Sequence, residues 1–147
     1  MELMTLKAVV RKKEGLAVEA EARGFKVIFD EPEDLGGTDT GMNPVEAMLC
    51  SLGGCQAIAA LSFADDVGID VQDFWVELEG DLDLEGFKGL SEARPGCSDI
   101  RFHMHIKSDS PADKIEEFIE LVESRCPVGD SLANGVKLER TKITIEK

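Results

Sequence analysis

Asn43-Pro44-Val45-Glu46-Ala47-Met48-Leu49-Cys50-Ser51-Leu52-Gly53-Gly54-Cys55-Gln56-Ala57-Ile58-Ala59-Ala60-Leu61-Ser62-Phe63-Ala64 is the segment on which the fold turns. Asparagine before proline marks a helix start, with Asn43 as N-cap and Pro44 in the first helical position. The helix is expected to run to about Asp66 and to stop at Gly68. Val45, Met48, Leu49, Leu52, Ile58, Leu61 and Phe63 point to nearly every side of it. A helix that is apolar all round must be covered all round. One chain of 147 residues with few strands cannot wrap it alone, so a homodimer is expected. Two mid-helix glycines, Gly53 and Gly54, cost roughly 1 kcal/mol each relative to alanine. They are expected where a second backbone comes close. Residues 47–64 carry no charge, but Ser51, Gly53, Gly54, Gln56 and Ser62 interrupt them, and Glu46 and Asp65-Asp66 bracket them. That pattern argues against a membrane span.

Outward from this helix, residues 4–12 and 16–21 read as strands joined at Lys13-Glu14-Gly15, and Phe25 to Phe29 as a third. Leu35 to Met42 is a glycine-rich loop without the Gly-Lys-Ser/Thr of a phosphate cradle. Residues 70–81 form a strand with Val76 and Leu78 on one face and Trp75, Glu77 and Glu79 on the other. A charged loop runs to about Gly96. Ile100, Phe102, Met104 and Ile106 alternate with Arg101, His103, His105 and Lys107 in the next strand. Ser110-Pro111-Ala112-Asp113 resembles a capping box. An amphipathic helix follows through Ile115, Phe118, Ile119, Val122 and Cys126. Pro127 breaks it, a short helix spans Pro127 to Ala133, and a last strand covers Val136 to Ile145, with a bulge where the apolar phase slips. The order β-β-β-α-β-β-α-α-β is α+β, within one domain over residues 1–147.

Thirty acidic against sixteen basic residues leave a net charge of −14. That excludes nonspecific binding to nucleic acid or an anionic membrane, both of which need a positive field. The first residues lack the basic-then-apolar layout of a signal peptide, so a cytoplasmic location is expected. Cys50, Cys55, Cys97 and Cys126 should then be reduced at rest rather than form a disulfide framework. Each is either a small core hydrophobe or a reactive thiol. Cys50 and Cys55 point about 140° apart on a helix and cannot bond to each other. Cys126 ends one helix and borders the next: a helix N-terminus would favour its thiolate, a C-terminus would not. Spacing alone leaves a Cys55–Cys126 redox pair open. His103 and His105 share a strand face with Arg101 and Lys107, which would repel a cation, and they have no evident acidic partner. A solvated face is expected there, with no metal and no cofactor.

The run from Asn43 to Gly54-Cys55, together with Arg125-Cys126-Pro127-Val128, Leu132 and a last strand, resembles the two cysteine motifs of the OsmC/Ohr superfamily (osmotically inducible protein C and organic hydroperoxide resistance protein), in its OsmC-like branch. The resemblance covers nearly the whole chain. It implies an intertwined homodimer in which long buried central helices are wrapped by antiparallel sheets. It also implies a peroxiredoxin-like thiol peroxidase serving oxidative-stress defence. Cys55 would be the peroxidatic residue and Cys126 the resolving one, with organic hydroperoxides as substrates and an external dithiol, of dihydrolipoamide or thioredoxin type, as reductant. The family's activating pair of glutamate and arginine is altered. Val45 follows the Asn-Pro where the best-characterised peroxidases have Glu, and Glu46 comes next. The first hairpin turn offers Lys13, with Arg11 nearby, in place of arginine. Glu46 lies about 900° and 13.5 Å along a straight helix from Cys55, on its opposite face, so its help would come through an intervening arginine or across the dimer. Arg140 is the other candidate cation. The altered pair is also what a non-catalytic redox sensor or apolar-ligand-binding protein on the same fold would show.

Overall fold

The computed structural model describes residues 1–147, which divide into two compact units, Met1–Cys50 and Ser51–Lys147. The first holds an antiparallel sheet of β1 (Val9–Lys12), β2 (Val18–Ala22) and β3 (Phe25–Phe29) in that order. Residues 4–8, expected to extend the first strand, lie outside it: Leu3, Met4 and Leu6 have no strand opposite them, and β1 begins at Val9, which pairs with Glu21. A turn over Lys13–Leu16 closes the first hairpin, with Gly15 in the left-handed region.

The loop after β3 is organised by one carboxylate. Asp30 is 2% exposed, and it accepts hydrogen bonds from the Thr38 and Thr40 hydroxyls at 2.7 Å each, from the Thr40 amide at 3.1 Å and from the Glu31 amide at 2.7 Å. These donors hold its ionised form, chiefly the Thr40 and Thr38 hydroxyls, and keep its pKa far below the usual carboxylate range. A Cβ at Gly37 would collide with the Glu31 carbonyl and one at Gly41 with that of Ile28, so the loop folds back on its own backbone.

α1 (Pro44–Phe63) starts as expected. The Asn43 side chain accepts from the Glu46 amide at 2.8 Å, and the Glu46 carboxylate accepts from the Asn43 amide at 2.8 Å, a reciprocal capping box. The helix ends three residues earlier than expected, and the chain leaves it through turns that finish at Gly68 with φ +71°.

In the second unit, β4 (Asp73–Leu82) and β5 (Cys97–Lys107) pair antiparallel, with Val76 opposite Met104 and Leu78 opposite Phe102. The buried stripe of α1, Leu52, Gly53, Gln56, Ala59 and Ala60, recurs at the helical period. Ala59 and Ala60 join Ala64, Ile69, Phe118 and Val122 in one core, backed by Phe74 and Ile106 from the strands. Gly53 has a different role from the one expected: a Cβ there would lie 2.6 Å from Leu78 Cδ1 of the same chain, whereas Gly54 faces open space. The opposite side of α1 is bare, with Ile58 67% and Leu61 61% exposed. By length and composition alone α1 could cross a membrane.

Three other expectations need correcting. The charged loop before β5 contains α2 (Leu84–Lys88), capped by the Asp83 carboxylate on the Glu85 and Gly86 amides and closed by Gly89 at φ +72°. The capping box at Ser110 does not form. Pro111 is the N-cap of α3 (Ala112–Arg125), and the Ser110 hydroxyl instead accepts from the Asp70 amide at 3.0 Å. The last strand is absent as well. No strand of the chain offers residues 136–145 a ladder, and Val136, Leu138, Ile143 and Ile145 are all exposed; a strand exists only against a partner. The order β1-β2-β3-α1-β4-α2-β5-α3-α4, with α4 at Pro127–Asn134, remains α+β.

Because the Asp30 carboxyl is depressed in the folded chain, its contribution is full above the ordinary value of 3.8 and is lost as pH falls through the lower folded-state value. Asp30→Asn should therefore lower Tm at pH 7, and the gap to wild type should narrow steadily as scans are run below about pH 4. A gap that stays constant down to pH 2 would contradict this account.

Candidate functional site

Phe118, Val122 and Cys126 fall on one i, i+4 row of α3 and its end, which aims Cys126 at the core. Pro127 has no N–H to extend the helix and disfavours the helical region for the residue before it. Cys126 accordingly sits at φ −78°, ψ 108°, ending α3 and capping α4 at once. Its Sγ accepts from the Gly129 amide at 3.3 Å. The position is 2% exposed. Burial pushes the thiol pKa up; the Gly129 amide opposes that rise, and the neighbouring Cys55 thiol adds to it. The helix N-terminus thus favours a thiolate here, but burial outweighs it.

Cys55 is thus the thiol that neighbours Cys126, and both are free. They open onto different hollows. Cys126 lines a cavity of about 420 Å³ with Leu52, Gln56, Cys97, Phe102 and Leu132 among its walls. Cys55 lines one of about 570 Å³ with Gly54, Ile58, Phe63, Arg125 and Pro127. Gln56 is buried at 3% exposure, and its Oε1 has no hydrogen-bond partner in the chain. Such an acceptor suits an O–H or N–H donor from a bound molecule.

Among the other residues singled out from the sequence, Lys13, Arg11 and Glu46 have local neighbours. Lys13 Nζ is 3.7 Å from Glu19 in the first hairpin, and Arg11 lies opposite Glu19 on β1. Glu46 closes the capping box of α1. Arg140 stands in the unpaired segment after α4. Cys50 is exposed, with Sγ 3.9 Å from Met42 Sδ. Cys97 opens β5 and shares the cavity of Cys126.

Sequence reasoning placed Arg125 in the second cysteine motif but gave it no role. Its guanidinium lies 5.9 Å from the Phe63 ring centroid and borders the cavity that holds Cys55. The available signal was its place in the last turn of α3, where a cation complements the helix dipole. Its neighbour on α1 could not be read from spacing.

The chain belongs to the OsmC-like protein family, whose model matches residues 37–141. It is 26% identical over 120 residues to a hydroperoxide reductase of Mycoplasma genitalium, covering 79% of this chain and 78% of that protein. It is 29% identical over 105 residues to a hydroperoxide reductase of Mycoplasma pneumoniae, covering 69% of this chain and 70% of that one. In fold it is similar to an OsmC like protein from Mycoplasma pneumoniae, with TM-score 0.73 at 24% identity over 90% of this chain and 88% of that one. An organic hydroperoxide resistance protein OsmC from Legionella pneumophila superposes with TM-score 0.68 at 20% identity, over 90% and 91% of the two chains.

Exposure and the raised Cys126 pKa set an order of reactivity. With limiting iodoacetamide at pH 7, mass mapping should find Cys50 alkylated early and Cys126 last, and Cys126 should gain rate as pH is raised. Early modification of Cys126 in the folded protein would overturn the assignment.

Proposed function

We propose that this chain is a cofactor-free, thiol-dependent reductase of organic hydroperoxides, soluble in the cytoplasm and active as a homodimer. The observation that carries the reading is the pairing of two free thiols from separate helices, one of them opening onto an apolar cavity beside a cation. The hydroperoxide reductase names of the Mycoplasma relatives support it.

In the proposed cycle the Cys55 thiolate attacks the terminal oxygen of ROOH. The O–O bond breaks, the sulfur becomes a sulfenic acid, and the departing alkoxide takes a proton to leave as ROH. The Cys126 thiol then attacks the Cys55 sulfur, forming the disulfide and releasing water. An external dithiol reduces that disulfide by exchange and is itself oxidised. Cys126, buried and held protonated, suits the resolving step, because it stays unreactive until the sulfenic acid forms beside it. Arg125 is the cation proposed to favour the Cys55 thiolate and the departing alkoxide. Lys13 and Glu46 are proposed to assist from the partner subunit. The apolar walls from Ile58 and Phe63 favour an organic peroxide over hydrogen peroxide. The exposed Ile58 and Leu61 face of α1 and the unpaired apolar residues 136–145 support the dimer.

Steady-state assays with cumene hydroperoxide and hydrogen peroxide, using dihydrolipoamide or thioredoxin as reductant, test this reading. Turnover should favour the organic peroxide. Cys55→Ser should abolish it; Cys126→Ser should consume one equivalent and stall as a dimedone-reactive sulfenic acid, while mass mapping of wild type shows a 55–126 linkage with Cys50 and Cys97 reduced. Arg125→Met should slow Cys55 oxidation about tenfold or more, the effect of roughly 1.4 kcal/mol, with smaller losses for Lys13→Ala and Glu46→Gln. Light scattering should give twice the 16.0 kDa chain mass. Full activity in Cys55→Ser would end the peroxidase reading, and saturable binding of apolar ligands without turnover would favour the non-catalytic alternative.

A further inference from the structure

The outward face of the β4–β5 ribbon carries a second concentration of chemistry in Glu77, His103 and His105, which line neither cysteine cavity and are independent of the proposed thiol cycle. The register sets Glu77 directly opposite His103 and Trp75 opposite His105. Residues that alternate along each strand therefore meet across it. Glu77 Oε2 lies 3.1 Å from His105 Nε2 and 3.6 Å from His103 Nδ1, and all three donor atoms fall within 4.8 Å of one another.

From these residues we propose a binding site for one divalent transition-metal ion of the zinc type, held by His103, His105 and Glu77. Two imidazole nitrogens and a carboxylate oxygen form a donor set suited to zinc. Ligand atoms about 2.0–2.2 Å from a tetrahedral zinc stand roughly 3.3–3.5 Å apart. The two distances to Glu77, 3.1 and 3.6 Å, bracket that edge. The imidazole pair, also within 4.8 Å, is brought to that edge by a side-chain rotation of the exposed His103. His105 is held in place: its ring stacks on the Trp75 indole at a centroid distance of 3.8 Å and an interplanar angle of 3°. A fourth position stays open to water.

The sequence argued against such a site because Arg101 and Lys107 share the face. The structure removes most of that objection. Arg101 is fully engaged, with Asp99 at 2.6 Å, Asp81 at 2.8 and 3.0 Å and Glu79 at 3.1 Å. Lys107 stands opposite Asp73 at the far end of the register. Carboxylates outnumber cations on the face, so its field attracts a dication. The acidic partner that the two histidines lacked in the linear sequence is Glu77, on the neighbouring strand.

Trp75 is the protein's one tryptophan, and there is no tyrosine, so its fluorescence reports this site alone. The full-length protein, reduced throughout, is titrated with Zn²⁺ alone and in parallel with Co²⁺. A saturable change in Trp75 emission at one equivalent per chain is expected, with quenching and visible tetrahedral d–d absorption for Co²⁺. Loss of an outer-shell partner already costs about 10–100-fold in metal affinity. Removing a ligand by His103→Ala or Glu77→Gln should weaken binding at least tenfold, without changing peroxidase turnover. Circular dichroism confirms that the variants fold, and Cys55→Ser with Cys126→Ser should leave the Trp75 response intact. No saturable Trp75 response at millimolar metal, equal affinity in the ligand variants, or a response lost only with the cysteines would each overturn the site.

Discussion

A helix without a polar face cannot be left in water, and α1 imposes that requirement on everything around it. Within the second unit, β4, β5 and α3 meet it along one stripe, where alanines and a glycine allow close approach. Gly53 beneath Leu78 is the tightest such point. That same stripe is what brings the end of α3 against α1 and so places Cys126 beside Cys55. The thiol pair is a by-product of packing: the core that Ala59 and Ala60 of α1 share with Phe118 and Val122 of α3 carries the end of α3 toward Cys55.

The two cysteines differ in ways that follow from their positions. Cys55 is in mid-helix, where it receives no terminal dipole, and depends on its surroundings for charge. Cys126 has a helix N-terminus but is sealed from solvent, and desolvation is the stronger effect. An exposed cysteine at the same N-terminus would be a thiolate at lower pH. Here burial favours the protonated thiol.

The parts of this architecture governed by local periodicity were legible in the residues. Asn43-Pro44 located the start of α1, the alternation from Ile100 to Ile106 located β5, and Pro127 divided α3 from α4. What depended on a distant partner was not. The last strand needs a ladder that the single chain does not provide. The Ser110 hydroxyl was claimed by the Asp70 amide, forty residues away, in preference to its own helix. Arg125 reaches the Cys55 cavity only through the packing of α3 on α1, and Glu77 meets His103 only through the strand register. Family resemblance pointed to both cysteines and, for the cation, to Lys13 and Arg11 of the first hairpin; Arg125 of α3 is the cation that borders the Cys55 cavity.

The Cys126 sulfur is a structural atom as well as the proposed resolving thiol, since it caps α4 through the Gly129 amide. The two duties can be pulled apart by a single element of the periodic table. Oxygen in place of sulfur keeps an acceptor, and serine is among the preferred helix caps, whereas alanine abandons the cap at a cost of about 1 kcal/mol. Serine at 126 therefore isolates the proposed chemistry, and the difference between serine and alanine measures how firmly the architecture relies on that one acceptor.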